Sequence, residues 1–131
     1  MNKMFDVIGS CHCGVVQFTV KVPNRIVVQK CNCSICSATG FLHYIVSTSS
    51  FRLISGAHEL TEYRFNTRLA KHLFCRICGV KAFYIPRSNP DGYSVNVNCM
   101  EWPDAIEIIE EPFDGQNWEA NANSLKHLSE D

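Results

Sequence analysis

The sequence predicts a mostly β protein, a small zinc-stapled fold of antiparallel sheets with little helix. Its short apolar runs alternate with polar residues or are rich in β-branched and aromatic side chains, as strands are. Clusters of turn-forming residues separate these runs, and no segment shows a long 3.6-residue periodicity. Seven of the eight cysteines fall into three tight groups, an arrangement typical of metal ligands.

The strands are predicted in chain order from these patterns. Residues 16–22 alternate apolar and polar side chains, the period of a half-buried strand, and Pro23-Asn24 ends the run. A hairpin is predicted around Asn66-Thr67 and a turn over residues 88–92. The chain after Pro112 is expected to be irregular apart from a short helix over residues 118–125. Further strands are predicted at residues 26–29, 41–46, 51–54, 59–65, 69–74, 80–85, 93–97 and 106–109.

Length and composition narrow the class of protein. A chain of 131 residues with 46% hydrophobic and 19% charged residues suits one globular domain, so residues 1–131 are predicted to form a single zinc-binding catalytic domain. A formal net charge of −1 provides no general attraction to nucleic acid, and no apolar run is long enough to cross a membrane. The first residues lack the apolar core of a secretory signal, which predicts a cytoplasmic location. In that reducing compartment, clustered cysteines favour metal binding over disulfides.

Two of the cysteine groups share a feature of zinc-binding turns. Gly14 follows the first group and Gly79 the third, and glycine accepts the positive φ that such a turn often needs after its second cysteine. Pairing these groups predicts a closed, structural zinc site with four thiolates. The alternatives are unliganded buried cysteines or a redox pair. The predicted structural ligands are Cys11, Cys13, Cys75 and Cys78.

The remaining group predicts a second zinc, which makes two per chain. Cys31, Cys33 and Cys36 offer three thiolates and leave a fourth position open, the pattern of a catalytic site. Three thiolates give the centre a formal charge of −1, which favours a soft fourth ligand such as another thiolate. This indicates thiol chemistry more than hydrolysis. The alternative is a second structural site completed by Cys99 or a histidine.

Several other residues receive simpler interpretations. His12 and His43 lie near the cysteine groups, either as proton carriers for the open site or as histidines without a role. Cys99 ends an alternating apolar run and is interpreted as a small core residue, with a ligand or reactive thiol as the alternative. Lys30, Arg76 and Lys81 are interpreted as solvated surface charges.

Together the three cysteine motifs resemble the glutathione-dependent formaldehyde-activating enzyme family, which also contains the centromere protein V-like proteins. The resemblance covers nearly the whole chain, and the order and spacing of the three groups are more specific than any one group. The segments on which the resemblance is based are Gly9-Ser10-Cys11-His12-Cys13-Gly14, Cys31-Asn32-Cys33-Ser34-Ile35-Cys36, Phe74-Cys75-Arg76-Ile77-Cys78-Gly79 and Val95-Asn96-Val97-Asn98-Cys99-Met100.

The resemblance implies a β-tent-type fold with a structural zinc on the four-cysteine set and a catalytic zinc on Cys31, Cys33 and Cys36. It implies a carbon–sulfur lyase similar to S-(hydroxymethyl)glutathione synthase, which joins the glutathione thiol to formaldehyde or cleaves the adduct. Under that reading the second zinc holds the glutathione sulfur as a thiolate, which attacks the aldehyde carbon. The resemblance does not identify the acid that protonates the resulting alkoxide.

Two other functions compete with this one. The first is a non-catalytic zinc module that binds a protein partner, as the stretch Pro112 to Glu119, similar to the centromere protein V-like branch, suggests. The second is a thiol redox enzyme of the methionine sulfoxide reductase class, which requires Cys99 to be an exposed nucleophile with a low pKa.

Overall fold

The chain is mostly β, and its strands form three sheets. The structure is a computed structural model that describes residues 4–65 and 68–130. Two short α-helices are present in these residues, α1 (Ser34–Thr39) and α2 (Trp118–Asn121). The strands are β1 (Met4–Ser10), β2 (Gln17–Pro23), β3 (Arg25–Cys31), β4 (Leu42–Ser47), β5 (Phe51–Ser55), β6 (Leu60–Tyr63), β7 (His72–Cys75), β8 (Phe83–Tyr84), β9 (Gly92–Asn96) and β10 (Glu107–Phe113). Single 3₁₀ turns and one longer 3₁₀ segment, Ala122–Ser129, complete the elements.

Antiparallel pairing dominates the sheets, as predicted. The first sheet has the order β1-β2-β5, the second β10-β3-β4-β9-β8, and β6 pairs with β7. The pair β3–β10 departs from the prediction because it is parallel. Pro112 is tolerated in β10 because that strand is at the sheet edge, where a missing N–H costs no ladder bond. The β-tent arrangement implied by the resemblance stays a prediction.

The main core lies between the inner faces of the first two sheets. The alternation predicted for residues 16–22 is confirmed, because Val16, Phe18, Val20 and Val22 are all fully buried. They pack in one apolar cluster with side chains of the second sheet, such as Val95. Burial of this apolar surface is the main favourable contribution to folding.

Strand β1 was absent from the sequence predictions for a specific reason. Its inward positions include Gly9, where a Cβ atom would overlap the ring of Phe18 on the neighbouring strand. A glycine in an inward position breaks the apolar alternation by which strands are recognised. Helix α1 was also missed, because its six residues are too few to show a helical period.

The other predicted elements are present with modest shifts in their ends. The strand predicted over residues 80–85 is reduced to β8, and the one over residues 106–109 extends to Phe113. The helix predicted over residues 118–125 is present as α2 continued by a 3₁₀ segment. Strands β6 and β7 pair as the hairpin prediction requires, while its turn at Asn66-Thr67 lies outside the described residues.

The turn between β8 and β9 anchors the C-terminal segment. Asn89 is fully buried, and its side-chain amide donates to the carbonyl of Leu125 at 2.9 Å and to the hydroxyl of Ser129 at 3.0 Å. These bonds hold Leu125 against Ile45 and Phe113 in a second, smaller apolar cluster. Among residues 4–65 and 68–130, no helix has both the length and the apolar character needed to cross a bilayer.

Candidate metal centres and their cavity

Four cysteine sulfurs from two distant turns meet beside the main core. The Sγ atoms of Cys11, Cys13, Cys75 and Cys78 all lie within 4.8 Å of one another. The Cys11–Cys13 and Cys13–Cys75 sulfur pairs are separated by 3.6 Å and 3.7 Å. A tetrahedral zinc with Zn–S bonds of about 2.3 Å places its sulfurs about 3.8 Å apart. The four thiols, none of them in a disulfide, therefore fit such an ion.

The two turns that present these sulfurs have closely similar backbones. Cys11 donates its N–H to the carbonyl of Val16 at 3.0 Å, and the corresponding bond from Cys75 is 3.1 Å. Gly14 and Gly79 have φ values of 83° and 77°, which L side chains rarely adopt. A Cβ at either position would meet open space, so the backbone conformation alone requires glycine there.

A second group of sulfurs forms around α1. Strand β3 ends at Cys31, Cys33 caps the helix N-terminus, and Cys36 lies in its first turn. The sulfur atoms of these three residues lie within 4.8 Å of one another, and no other metal-ligating atom of the described residues joins the group. Gly40, at φ 67°, ends the helix after less than two turns.

Hydrogen bonds connect the chain that follows β10 to the segment that carries this second group. The Asn32 side chain donates to the Asp114 carboxylate at 3.0 Å and accepts the backbone N–H of Gln116 at 2.9 Å. Between these contacts, Gly115 approaches the group so closely that a Cβ atom would overlap the sulfur of Cys31. The parallel pairing of β10 with β3 is what aligns these segments.

The three thiols of the second group share their protons unequally. Hydrogen bonds from Cys31 and Cys36 lower the pKa of Cys33 well below its usual range. The neighbouring sulfurs raise the pKa of Cys36 far above that range. The three thiols therefore titrate as one coupled group, and removing all of their protons requires a compensating positive charge.

A cavity of about 390 Å³ opens onto the second group. All three of its cysteines line the cavity, together with apolar side chains that include Phe113, Trp118 and Leu125. This volume lies in the range of small-molecule binding sites, which are mostly apolar with a few oriented polar groups. The four-cysteine cluster does not line this cavity.

His43 contacts the second group through the sulfur of Cys36. It is buried, and its Nε2 atom lies 3.0 Å from the Cys36 sulfur. Its Nδ1 atom lies 2.9 Å from the Ser94 hydroxyl and 3.3 Å from that of Tyr84. Burial, reinforced by the charge of Lys81, lowers the pKa of His43 to about 3, so the ring is neutral. With the hydroxyls donating to Nδ1, the ring donates its Nε2 proton to the sulfur.

Lys81 corrects one of the sequence predictions. Lys30 is exposed and Arg76 pairs with Glu59 at the surface, but Lys81 is only 7% exposed. Its interpretation as a solvated charge is therefore wrong. It directly follows Val80, whose carbonyl accepts a hydrogen bond from Cys75 in the turn that contains Cys75 and Cys78. After this turn the chain enters the core and forms β8.

The buried ammonium group sits among rings instead of carboxylates. Lys81 Nζ lies 2.7 Å from Nδ1 of His72, 3.8 Å from the ring centre of Tyr84 and 4.9 Å from that of Phe41. Burial lowers the pKa of Lys81 to about 8, a shift that the three cysteines of the second group oppose. His72 and Tyr84 line the cavity.

The other residues considered in the sequence have different surroundings. His12 is exposed on the first cysteine turn, away from the cavity lining. Cys99 packs against the main core, and burial raises its pKa to about 11, contrary to the needs of a nucleophile. Its charge interactions are with Cys11 and Cys78 of the first cluster, so it does not complete the second group.

Sequence reasoning missed four cavity residues, Gln29, His72, Tyr84 and Arg87. Gln29 is buried, and its side-chain oxygen has no hydrogen-bond partner in the described part of the chain. Arg87 bonds to Glu119 at 2.6 Å and lies 5.7 Å from the Trp118 ring centre. Proximity to the third cysteine group was the one available signal for His72.

Comparison with known proteins identifies the class to which this fold and site belong. Residues 6–115 match the family model of the glutathione-dependent formaldehyde-activating enzyme, and the chain belongs to that family. A Halomonas elongata protein that carries the family's name is 31% identical over 78 residues, covering 53% of this chain and 50% of the relative. The chain thus spans about half the length of that curated relative.

A solved structure extends the similarity to the fold. A crystal structure of a Rhodobacter sphaeroides protein is 37% identical in sequence, with a TM-score of 0.66. The match covers 79% of this chain and 99% of the Rhodobacter chain.

Proposed function

We propose that this protein is a zinc-dependent carbon–sulfur lyase that forms or cleaves the adduct of glutathione and formaldehyde, S-(hydroxymethyl)glutathione. The observation that carries the proposal is an open group of three cysteine sulfurs lining a ligand-sized cavity. Membership of the family supports the choice of thiol and aldehyde. In this proposal residues 1–131 form one catalytic domain that acts in the cytoplasm, where glutathione keeps cysteines reduced.

The donor sets support zinc in both clusters, with different roles. Thiolate sulfur is a soft ligand that suits zinc, and the sulfur separations of the four-cysteine cluster match a tetrahedral ion. Cys31, Cys33 and Cys36 would hold the second ion at the wall of the cavity that they line. When bound there, zinc stabilises a substrate thiol as its thiolate at neutral pH.

The chain's own residues would orient the reactants. His43 donates to the Cys36 sulfur, which fixes that ligand and spreads its charge. A substrate that fills the largely apolar cavity would displace water from it, which would limit competition from a solvent nucleophile. Arg87 provides a cation for a carboxylate of glutathione if its exposed partner Glu119 yields.

Counting metal ions and substrate tests this proposal directly. Native mass spectrometry of the zinc-loaded protein should give two zinc ions per chain, and addition of glutathione should give an adduct. S-methylglutathione is the matched control, because it retains the carboxylates but has no thiol. Cobalt-substituted protein should change its thiolate charge-transfer band with glutathione and not with the control.

Catalysis is measured by the exchange of ¹³C-formaldehyde with its glutathione adduct in NMR spectra. The proposal expects exchange above the uncatalysed rate and its loss in Cys33→Ser. A single zinc per chain with no glutathione adduct would overturn the proposal. That result would favour the module that binds a protein partner.

A further inference from the structure

Lys81 is a buried cation with no carboxylate beside it. It is 7% exposed, and within residues 4–65 and 68–130 no acidic side chain forms an ion pair with it. Burying an unpaired charge is strongly unfavourable, so such a residue needs a countercharge nearby. The groups that favour its protonated form are Cys36, Cys33 and Cys31. The ammonium group and negative charge on the second cysteine group therefore stabilise each other.

The hydrogen bond from Lys81 determines which nitrogen of His72 carries the proton. The ammonium group has no lone pair, so at 2.7 Å it donates to Nδ1 of His72. Burial, together with the charge of Lys81, lowers the pKa of His72 to about 4, so the ring is neutral. A neutral ring that accepts at Nδ1 must be protonated at Nε2.

The Nε2–H group of His72 is available to a molecule in the cavity. His72 lines the cavity, and Nε2 makes no hydrogen bond to any described residue. The ring stacks with that of Tyr84, at a centroid distance of 4.9 Å, and with that of Phe65, at 5.3 Å, and these contacts restrict its orientation. It is thus an oriented donor beside the same cavity that Cys31, Cys33 and Cys36 line.

We propose that His72 and Lys81 form a proton relay at this site. His72 is the acid that gives a proton to the substrate oxygen, and Lys81 positions the His72 ring and replaces the proton that the ring gives up. The inference rests on the proposed function and adds the acid that the sequence did not identify.

During formation of the adduct, each electron pair and each proton moves to a named atom. The thiolate lone pair forms the S–C bond, and the π pair of the aldehyde C=O moves to oxygen. That oxygen takes the proton from His72 Nε2, while Nδ1 takes a proton from Lys81 Nζ. Lys81 is left as a neutral amine and His72 as its other neutral tautomer.

The next thiol restores the starting state. Its S–H proton passes to His72 Nε2, and the Nδ1 proton returns to the Lys81 amine. The sum over one cycle is thiol plus aldehyde giving the hydroxymethyl thioether, with no external acid or base. Cleavage is the same sequence in reverse.

Other polar groups of the cavity are less suited to this role. Both nitrogens of His43 are engaged, by Cys36 and by the hydroxyls behind it. Burial raises the pKa of Tyr84 well above its usual value, which makes its phenol a poor acid. The unpartnered Gln29 oxygen accepts hydrogen bonds and has no proton to give. Lys81, with its pKa lowered to about 8, is matched to proton transfer near neutral pH.

The tautomer of His72 provides a test that does not depend on activity. Two-bond ¹H–¹⁵N correlation spectra of the zinc-loaded protein identify which imidazole nitrogen is protonated. The relay requires His72 to be protonated at Nε2 and bare at Nδ1, and it requires Lys81→Met to weaken this preference. A wild-type His72 protonated at Nδ1 would overturn the relay.

Kinetic variants separate the relay from the proposed function itself. In His72→Gln and Lys81→Met the exchange of ¹³C-formaldehyde should fall by about 100-fold or more, the usual contribution of an acid catalyst. The glutathione-induced change in the cobalt band should persist in both variants. The controls are His58→Gln and Lys21→Met, which replace exposed residues that do not line the cavity and should exchange at the wild-type rate.

The outcomes are distinct. Wild-type exchange rates in both variants would overturn the relay and leave the lyase intact. Absence of exchange and of thiol binding in the wild-type protein would overturn the lyase. The wild-type tautomer spectrum needs no variant, so a His72 protonated at Nδ1 would overturn the relay even if one substitution impairs folding.

Discussion

The two cysteine clusters differ in what surrounds them more than in the sulfurs themselves. The first cluster joins two rigid turns 62 residues apart, with Cys11 and Cys75 buried in the main core. The second is made within six consecutive residues and lines a cavity backed by buried polar groups. A metal ion held by two distant turns would close a long loop and stabilise the fold, whereas one held at a cavity wall would be accessible to a ligand. These different surroundings support the proposed division into a structural site and a reactive one.

Removing one sulfur from each cluster should give the largest difference. Cys75→Ser should unfold the protein, because metal binding worth roughly 10 kcal/mol is comparable to the whole stability of a domain. Cys33→Ser should keep the fold but lose the second metal and the exchange activity, since Cys33 lies beside α1 at the cavity. Near-ultraviolet circular dichroism and zinc counting measure both effects. Equal loss of structure in the two variants would remove the distinction between the clusters.

Two glycine substitutions sharpen the comparison without touching a ligand. Gly115→Ala should disrupt the second cluster and lower its metal occupancy at least several-fold, because the added methyl group overlaps the Cys31 sulfur. Gly14→Ala meets no atom within 4 Å and should cost only about 1–2 kcal/mol for its left-handed backbone. Zinc per chain and the urea unfolding midpoint report the two effects. Full occupancy of both sites in Gly115→Ala would contradict the close approach.

A smaller effect is expected in the dependence of stability on pH. His72 has its folded pKa lowered to about 4 from 6.5, so between these values the unfolded state binds more protons. Stability present above pH 6.5 is therefore lost as the pH falls toward 4, by up to about 3 kcal/mol from this residue. Urea midpoints across this range should fall less steeply in His72→Gln. If the urea midpoints of the wild-type protein and His72→Gln fell equally with pH, residues other than His72 would be responsible for the acid sensitivity.

Much of the fold could be predicted because its signals are local. The alternation over residues 16–22 follows directly from the two-residue period of a strand with one buried face. Gly14 and Gly79 mark the first cluster because only glycine adopts their backbone conformation without strain. The parallel pairing of β10 with β3 had no such signal, because pairing between distant strands depends on how the whole chain packs.

The sequence by itself determined the cysteine groups, most strands and the family, since each depends on residue types at short spacing. The tertiary structure alone decided the surroundings of those groups. It buried Lys81 against His72, placed His43 behind Cys36 and brought Gly115 onto Cys31. The physical reason is that burial and hydrogen-bond geometry arise from contacts between segments far apart in the chain. A lysine that the sequence predicts to be a surface charge is instead buried at hydrogen-bond distance from His72, which only the fold could bring about.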